Sequence, residues 1–226
     1  LTFTPANWNS AQTVTVTGAD DNLIDGTITS TITVSVNDAN SNDSFDGVAD
    51  QTVSVTTTDN DTAGFTIAQS GGSTSVSESG TTDTFTIVLN AQPSSNVVFS
   101  IASSDTGEAT VISTLEFTAS NWNSAQTVTL TGVDDNIIDG TQNSTTTVSI
   151  IDAITDDAFD GVADQTVSVT TTDNDVAGFT IAQSSGSTSV AETGTTDTFT
   201  VVLNAQPASN VVLNITSSDT GEATVN

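Results

Sequence analysis

Lysine, arginine and histidine are all absent from this chain of 226 residues, whereas aspartate and glutamate together number 28. The formal net charge of −28 therefore has no internal counter-charge. Proteins that bind nucleic acid or anionic membrane surfaces use Lys and Arg to contact phosphate groups, so the composition excludes both partners. We expect cations from the medium to screen the charge, and divalent ions with oxygen ligands do so with the fewest ions.

Cysteine is absent as well, so no disulfide framework stabilises the fold. The lack of lysine removes Lys–Asn isopeptide cross-links. Without His, Cys or Lys, the groups that usually activate a nucleophile are missing. Hydrolysis by paired carboxylates stays chemically open, but aromatic residues make up only 5% of the chain and predict no aromatic-lined cleft. We therefore expect no catalytic residues, no organic cofactor and no enzyme activity.

Long apolar runs are missing too, and none approaches the length of a membrane span. The chain opens at Leu1 with no starting methionine and no basic-then-apolar signal segment. We expect an internal window of a larger or polymeric protein, without direct membrane insertion.

Alternation of apolar residues with threonine and serine is the main feature that is present. It is clearest in TVTVT at 13–17 and in TFTIVL at 84–89. This pattern makes one face of a strand apolar and the other polar, which is typical of a half-buried antiparallel sheet. Because 35% of the residues are hydrophobic, the high charge does not indicate disorder.

The chain repeats itself at an offset of 114 residues. The segment NWNSAQTVT at 7–15 returns at 121–129 (121 − 7 = 114), and the segment 45–61 returns unchanged at 159–175. A period of this length fits one immunoglobulin-sized sandwich and is too long for a solenoid rung. Each repeat is therefore predicted to be a domain.

Turn-forming residues suggest where the domains begin and end. The motif TDND at 58–61 precedes Gly64, and its copy at 172–175 precedes Gly178. We expect the C-terminal half of a repeat at 1–63, a complete repeat at 64–177 and the N-terminal half of the next at 178–226. The complete repeat is predicted to contain seven strands, near 64–69, 83–90, 96–102, 109–118, 125–133, 144–151 and 164–172. The predicted fold class is all-β, with immunoglobulin-like Greek-key β-sandwich domains in tandem.

Several segments of the repeat together resemble the Calx-beta domain, which occurs in tandem arrays in bacterial surface proteins and in animal sodium–calcium exchangers and integrins. They are SVSESG at 75–80 before FTIVL at 85–89, LEFT at 115–118 before GVDDNIIDG at 132–140, and TDND at 172–175. The resemblance covers the whole repeat and implies a sandwich with calcium sites at one tip. The family's Asp-Tyr turn is replaced by DTGEAT at 105–110, which leaves one ligand position open between Asp105 and Glu108.

The acidic loops themselves favour calcium, because Ca²⁺ takes about six to eight oxygen ligands and adjacent carboxylates repel unless a cation separates them. The candidate ligands in the complete repeat are Glu78, Glu108, Asp134, Asp135, Asp139, Asp173 and Asp175. The corresponding residues of the flanking halves are Asp20, Asp21, Asp25, Asp59 and Asp61, then Glu192 and Glu222. The competing interpretation is that these loops are ordinary Asx turns. A turn needs one Asp and these loops carry several, which favours metal.

An acidic segment and the two tryptophans are expected to have structural roles. The acidic segment 38–50 superficially imitates an EF-hand loop, but Asp43 replaces the required glycine and Ala49 replaces the final glutamate. We predict a solvated loop there. Trp8 and Trp122 are expected to plug the end of the sandwich beside Phe3 or Phe117 rather than to bind sugar.

Three functions from different classes fit this sequence. The favoured one is a structural subunit or repeat window of an extracellular filament or surface fibre with calcium-stiffened joints, because near-identical repeats supply equivalent subunits. The alternatives are the stalk of a large repetitive calcium-binding adhesin and a calcium-sensing regulatory module. The expected partners are copies of the chain arranged head to tail, either covalently continuous or with exchanged half domains. Other surface fibres or extracellular matrix are further candidates, and the expected location is the cell surface.

Overall fold

Alternating Thr and aliphatic residues form strands along most of the chain. The computed structural model describes residues 1–225, and within this range it contains thirteen strands, six short 3₁₀ helices and no α-helix. The first two strands, β1 (Ile28–Val34) and β2 (Gln51–Thr57), form an antiparallel pair. The 3₁₀ helices are Asp38–Asn40, Asp43–Phe45, Ser70–Gly72, Asp152–Ile154, Asp157–Phe159 and Ser184–Gly186. No helix in residues 1–225 is long and apolar enough to cross a membrane.

Nine strands build a complete sandwich in the middle of the chain. They are β3 (Phe65–Gln69), β4 (Thr74–Ser77), β5 (Thr82–Leu89), β6 (Val97–Ser103), β7 (Ala109–Val111), β8 (Thr114–Phe117), β9 (Gln126–Gly132), β10 (Gln142–Ile150) and β11 (Gln165–Thr172). One sheet has the order β3-β5-β9-β7 and the other β4-β11-β10-β6-β8. Among these nine strands only β4 and β11 pair in parallel, and the other strand pairs are antiparallel. This is an immunoglobulin-like Greek-key β-sandwich, and the predicted all-β sandwich fold is confirmed.

The core consists of alternate residues from both sheets. Phe99 on β6 is fully buried, and its ring lies edge-on to Phe65 at 4.9 Å and to Phe117 at 5.9 Å between ring centroids. These three side chains belong to three strands of the two sheets, so they join the sheets to one another. Edge-to-face aromatic pairs of this kind stabilise a fold beyond their buried area.

The remaining strands repeat parts of this sandwich. After β11 come β12 (Phe179–Gln183) and β13 (Phe199–Leu203), which pair with each other. At the 114-residue offset, β12 and β13 match β3 and β5, while β1 and β2 match β10 and β11. Each flanking segment therefore has strands that correspond to only one of the two sheets of the sandwich.

The observed strands differ from the predicted seven in two places. The short strand β4 was not predicted, because Val76 is its only aliphatic residue and gives no alternating pattern. The single strand predicted over 109–118 is two strands, β7 and β8, which lie in different sheets. The chain crosses between the sheets here, and the carbonyl of Ser113 accepts a hydrogen bond from the amide of Ile101.

The two tryptophans have different environments although their local sequences are identical. Trp122 is half-buried and packs against the core of the complete sandwich. Trp8 is 71% exposed, because the half that contains it has no second sheet to cover it.

Candidate metal centre

The candidate centre begins with the loop that follows β9. Asp135 caps this loop, since its side-chain Oδ1 accepts a hydrogen bond from the amide of Ile137 at 2.6 Å. Gly140 ends the loop with a φ of +74°, a left-handed conformation that favours glycine. The loop therefore contains both an Asx turn and additional carboxylates.

Asp173, directly after β11, holds this loop in place. Its Oδ2 accepts hydrogen bonds from the amides of Gly140 at 2.8 Å and Asp139 at 3.2 Å, and its Oδ1 accepts one from Asp175 at 2.6 Å. These backbone donors stabilise the ionised carboxylate and lower the pKa of Asp173, with Asp175 contributing most. Asp173 is therefore a charged residue that joins two loops.

Glu78 lies where the two loops meet. It follows β4 directly, and its amide bonds to the carbonyl of Thr172 at 3.1 Å because β4 pairs in parallel with β11. The side chain is only 1% exposed. Its Oε2 accepts a hydrogen bond from the amide of Asn174 at 3.1 Å, whereas Oε1 has no hydrogen-bond partner among the described residues.

Glu78 belongs to two groups of carboxylates whose nearest ligand atoms lie within 4.8 Å of one another. The first group is Glu78, Asp173 and Asp175, and the second is Glu78, Glu108 and Asp135. Glu108 Oε2 and Asp175 Oδ2 are also buried without a hydrogen-bond partner in residues 1–225. Five carboxylates thus converge on one end of the sandwich, and three of them have an unsatisfied buried oxygen.

The electrostatics of the cluster are unfavourable when no cation is bound. Burial raises the pKa of Glu78, and it raises the pKa of Glu108, where the charge of Asp139 adds to the effect. Asp175 also has a raised pKa, mainly from desolvation and then from the neighbouring charge of Asp173. A cation between these groups would remove both penalties.

The donor set fits a hard cation. All donors in the two groups are carboxylate oxygens, and the chain has no His or Cys to attract softer metals. Such oxygen-rich, carboxylate-dense loops suit Ca²⁺, which tolerates irregular coordination, better than Mg²⁺, which demands near-ideal octahedra.

The other candidates of the complete domain lie beside the cluster. Asp134 accepts a hydrogen bond from the side-chain amide of Asn174 at 2.9 Å, and the side chain of Asp139 is exposed. Neither belongs to the two groups. Of the pair left open by the sequence, Glu108 lies in the cluster. Asp105 instead caps its own turn by accepting a hydrogen bond from the amide of Gly107 at 3.0 Å.

The flanking halves each contain part of the same arrangement. In residues 1–63, Asp59 accepts hydrogen bonds from the amides of Asp25, Gly26 and Asp61, as Asp173 does in the complete domain. The open groove beside it is lined by Asp21, Asp25, Asp59 and Asp61, and Asp20 accepts a hydrogen bond from Asn60. In the other half, Glu192 and Glu222 are both exposed.

A feature that the sequence analysis missed is the contact between this loop and the next repeat. The amide of Gln206 donates to the carbonyl of Asn136 at 2.6 Å, and its carbonyl accepts from the amide of Ile138 at 3.3 Å. Ile137 and Gln206 thus form a parallel β-bridge. The sequence feature that could have indicated this contact is the repeated NAQP turn, at 90–93 and 204–207.

The same contact occurs 114 residues earlier. Gln92 pairs with Leu23 as a parallel bridge, through hydrogen bonds to Asn22 at 2.7 Å and Ile24 at 3.1 Å. The loop with the acidic residues of one repeat therefore contacts the NAQP turn of the next at both junctions. We call this contact the joint.

Comparisons with known proteins place the chain in no family. No protein-family model matches it, and no curated protein sequence matches it. Among solved structures, domains 4 and 5 of the S-layer protein SbsC match at 23% identity and a TM-score of 0.34, covering 56% of this chain and 54% of that structure. The apo-form Calx CBD1 domain matches at 13% identity and a TM-score of 0.35, covering 49% and 98%.

A third structure is SSP-19, an MSP-domain protein like family member in Caenorhabditis elegans, at 18% identity and a TM-score of 0.31, covering 47% of this chain and 97% of that one. This chain spans about half of the SbsC structure. Global similarity at this level assigns no function, and membership of the Calx-beta family stays a prediction.

Proposed function

We propose that this chain is a structural repeat segment of an extracellular filament or surface fibre, with calcium bound at the joints between sandwich domains. The observation that carries the proposal is the position of the carboxylate cluster. Asp135, a member of the cluster, belongs to the same loop whose next residues, Asn136 to Ile138, bind Gln206 of the following repeat. An ion at the cluster would fix the loop that forms the joint.

The residues that would hold calcium are the five of the two groups. Glu78 is shared by both groups, so its loss would affect every ion held there. A bound ion supplies positive charge to carboxylates that are otherwise buried close together, and it satisfies the free oxygens of Glu78, Glu108 and Asp175. The carboxylates would then no longer repel one another, and the loop would become less mobile.

The net charge supports an extracellular setting. A surface with 28 carboxylates and no basic residue stays soluble and repels anionic surfaces. Millimolar calcium, common outside cells, suits sites of the weaker class that carboxylate loops in extracellular modules form. Near-identical joints at both junctions suit a fibre made of equivalent units.

Calcium titration calorimetry tests the metal site. We expect the wild type to bind calcium and Glu78→Gln to bind it at least about tenfold more weakly. The substitution replaces a carboxylate, one oxygen of which has no hydrogen-bond partner among the described residues, with a neutral amide. The matched control is Asp164→Asn, which removes an exposed carboxylate outside the two groups and should bind as the wild type does. Equal calcium affinity in Glu78→Gln and the wild type contradicts the proposal.

Stiffening of the joint needs a separate measurement. Because the chain has no cysteine, spin labels attach only to two introduced ones, at the exposed positions Thr145 and Thr200 on either side of the joint. We expect the distribution of label-to-label distances to narrow when calcium is added, and not to narrow in Glu78→Gln. A width that calcium leaves unchanged in the wild type rules out a stiffening role.

A further inference from the structure

We propose that the hydrophobic core of the complete sandwich includes a side chain from the preceding repeat, so that neighbouring repeats are energetically coupled when they unfold. The docking surface is the end of the sandwich that contains the NAQP turn at 90–93. The partner that it fits is the loop 20–26 of the repeat before it. The coupling requires no metal, so it is separate from the calcium binding proposed above.

The side chain of Ile24 makes an apolar contact beside the hydrogen bonds of the joint. It is half-buried and packs against the hydrophobic core of the complete sandwich, although it lies in the repeat that precedes β3. Apolar surface that is removed from water stabilises the folded state roughly in proportion to its area. The stability of the complete sandwich therefore depends on a residue of another repeat.

Hydrogen bonds of the joint hold the backbone of Ile24 in this position. The amide of Ile24 donates to the carbonyl of Gln92 at 3.1 Å, and the amide of Gln92 donates to the carbonyl of Asn22 at 2.7 Å. Both bonds connect the loop to the NAQP turn, and neither uses a side chain. They fix the point from which the Ile24 side chain reaches the core.

The surface that receives Ile24 is a fixed part of the complete sandwich. Ala91 and Pro93 of the NAQP turn are buried. The side-chain amide of Gln92 donates to the carbonyl of Ala119 at 2.8 Å, and the segment after Ala119 contains Trp122, which packs against the same core. Because the turn is anchored to the core, unfolding of the core would remove the surface on which Ile24 docks.

The loop 20–26 is fixed within its own repeat as well. The side chain of Asp59 accepts hydrogen bonds from the amides of Gly26 at 2.8 Å and Asp25 at 3.0 Å. These bonds anchor the loop directly after Ile24. A segment that is already ordered loses little further conformational freedom when it docks, so more of the apolar contact contributes to stability.

The second junction has the same apolar residue. Ile138 corresponds to Ile24 at the 114-residue offset and is also half-buried. Its amide donates to the carbonyl of Gln206 at 3.3 Å, as that of Ile24 does to Gln92. The position before it differs between the two junctions, with Leu23 at one and Ile137 at the other. An isoleucine at both docking positions extends the coupling to successive repeats.

A shared core makes the stabilities of two neighbouring repeats interdependent. In an array of repeats the total stability is a sum of repeat and interface contributions, and an interface is lost when either neighbour unfolds. Coupling free energies are reciprocal, so the loop stabilises the sandwich as much as the sandwich stabilises the loop. We therefore expect a change confined to the loop to weaken the sandwich that follows it.

Urea unfolding of the full chain in chelator measures this effect, with tryptophan fluorescence as the signal. Trp8 is 71% exposed, so we expect Trp8→Phe to leave the structure unchanged and to make Trp122 the single reporter on the core of the complete sandwich. In this parent, Ile24→Ala should lower the urea midpoint by roughly 0.5–1 M, because it truncates a half-buried isoleucine. Ile24→Val keeps most of the side chain and should lower the midpoint less.

Ile28→Ala is the matched control. It truncates the same type of residue in the same repeat, shortly after the loop. Ile28 is 47% exposed, however, and among the described residues it is not one that packs against the core of the complete sandwich. The urea midpoint of Ile28→Ala should equal that of the parent. A midpoint for Ile24→Ala that also equals the parent's, or equal losses from both substitutions, overturns the proposal.

Asp21→Ala tests whether the loop acts through Ile24. The Asp21 carboxylate accepts a hydrogen bond from the amide of Leu23 at 2.9 Å, so the substitution loosens the loop just before Ile24. We expect it to lower the midpoint in the parent and to have no further effect in Ile24→Ala, because the apolar contact is already lost there. Equal falls in both backgrounds would show that the loop does not stabilise the sandwich through Ile24.

The use of chelator separates this inference from the proposed function. If Ile24→Ala weakens the sandwich in chelator and calorimetry detects no calcium binding, the coupling stands and the calcium-stiffened joint is refuted. If calcium binds but Ile24→Ala unfolds like the parent, the coupling alone is refuted.

Discussion

Gly132 provides a sharp test of how the fold positions the candidate metal centre. It ends β9 where that strand passes the backbone of β4, and a Cβ there would lie 2.7 Å from the carbonyl carbon of Ser77 and 3.2 Å from its amide nitrogen. Carbon atoms in contact are about 3.5–4.0 Å apart, so Gly132→Ala must move β4 by about 1 Å. The obstacle is backbone, which no side-chain rotation can clear. Glu78, the residue after Ser77, moves with it.

The expected cost follows from that displacement. Overpacking a filled interior costs about 1–3 kcal/mol, which lowers the melting temperature of a domain of this size by about 3–6 °C for each kcal/mol. Calcium affinity should fall as well, because ligand positions in metal sites tolerate only about 0.2 Å. Calorimetry measures both quantities, with Gly161→Ala as the control, since open space surrounds that position. If Gly132→Ala melts and binds calcium like Gly161→Ala, the contact between β9 and β4 does not position the site.

Two further predictions concern charge and packing in the complete domain. Because burial raises the pKa of Glu78, the calcium-free protein should lose stability as pH rises through that raised pKa, a loss that Glu78→Gln lacks. Urea unfolding in chelator from about pH 4 to about pH 7 should therefore show the free energy of unfolding of the wild type falling relative to that of Glu78→Gln, and parallel curves would contradict this. Phe99→Ala should cost about 3–5 kcal/mol, whereas Phe99→Leu, the residue found as Leu213 in the next repeat, should cost under about 1.5 kcal/mol. Equal losses for both would contradict this prediction, because leucine would then replace the ring that packs against Phe65 and Phe117 no better than alanine does.

The fold was predictable because two simple signals agree along the chain. Alternation marks the long strands, and the 114-residue period indicates how many residues one sandwich takes. Strand prediction fails where a strand is too short to show the alternating pattern. β4 has one aliphatic residue and depends on its parallel pairing with β11, a long-range contact that local sequence does not encode. The split of 109–118 into β7 and β8 depends on which sheet each piece joins, which is also a tertiary property.

The composition of the candidate site was predictable from the sequence, but its arrangement was not. Carboxylates grouped in turns indicate a cation, and five of the predicted residues lie in the two groups. Spacing could not separate Glu108 from Asp105, because the choice depends on which side chain faces Glu78 after the sheets pack. It also could not reveal that Asp173 is occupied by backbone donors while Asp175 keeps a free oxygen. Gln206 was missed because its role at the joint uses only its backbone groups.

That last property affects how such a chain changes in length. The joint is made by main-chain amides and carbonyls, so it accepts Leu23 at one junction and Ile137 at the other without adjustment. Because this contact does not depend on which side chains are present, it can form in the same way between any two neighbouring repeats. Duplication or deletion of whole repeats in the gene would then leave the same hydrogen bonds at every remaining junction, and the length of the proposed fibre could change without a compensating substitution.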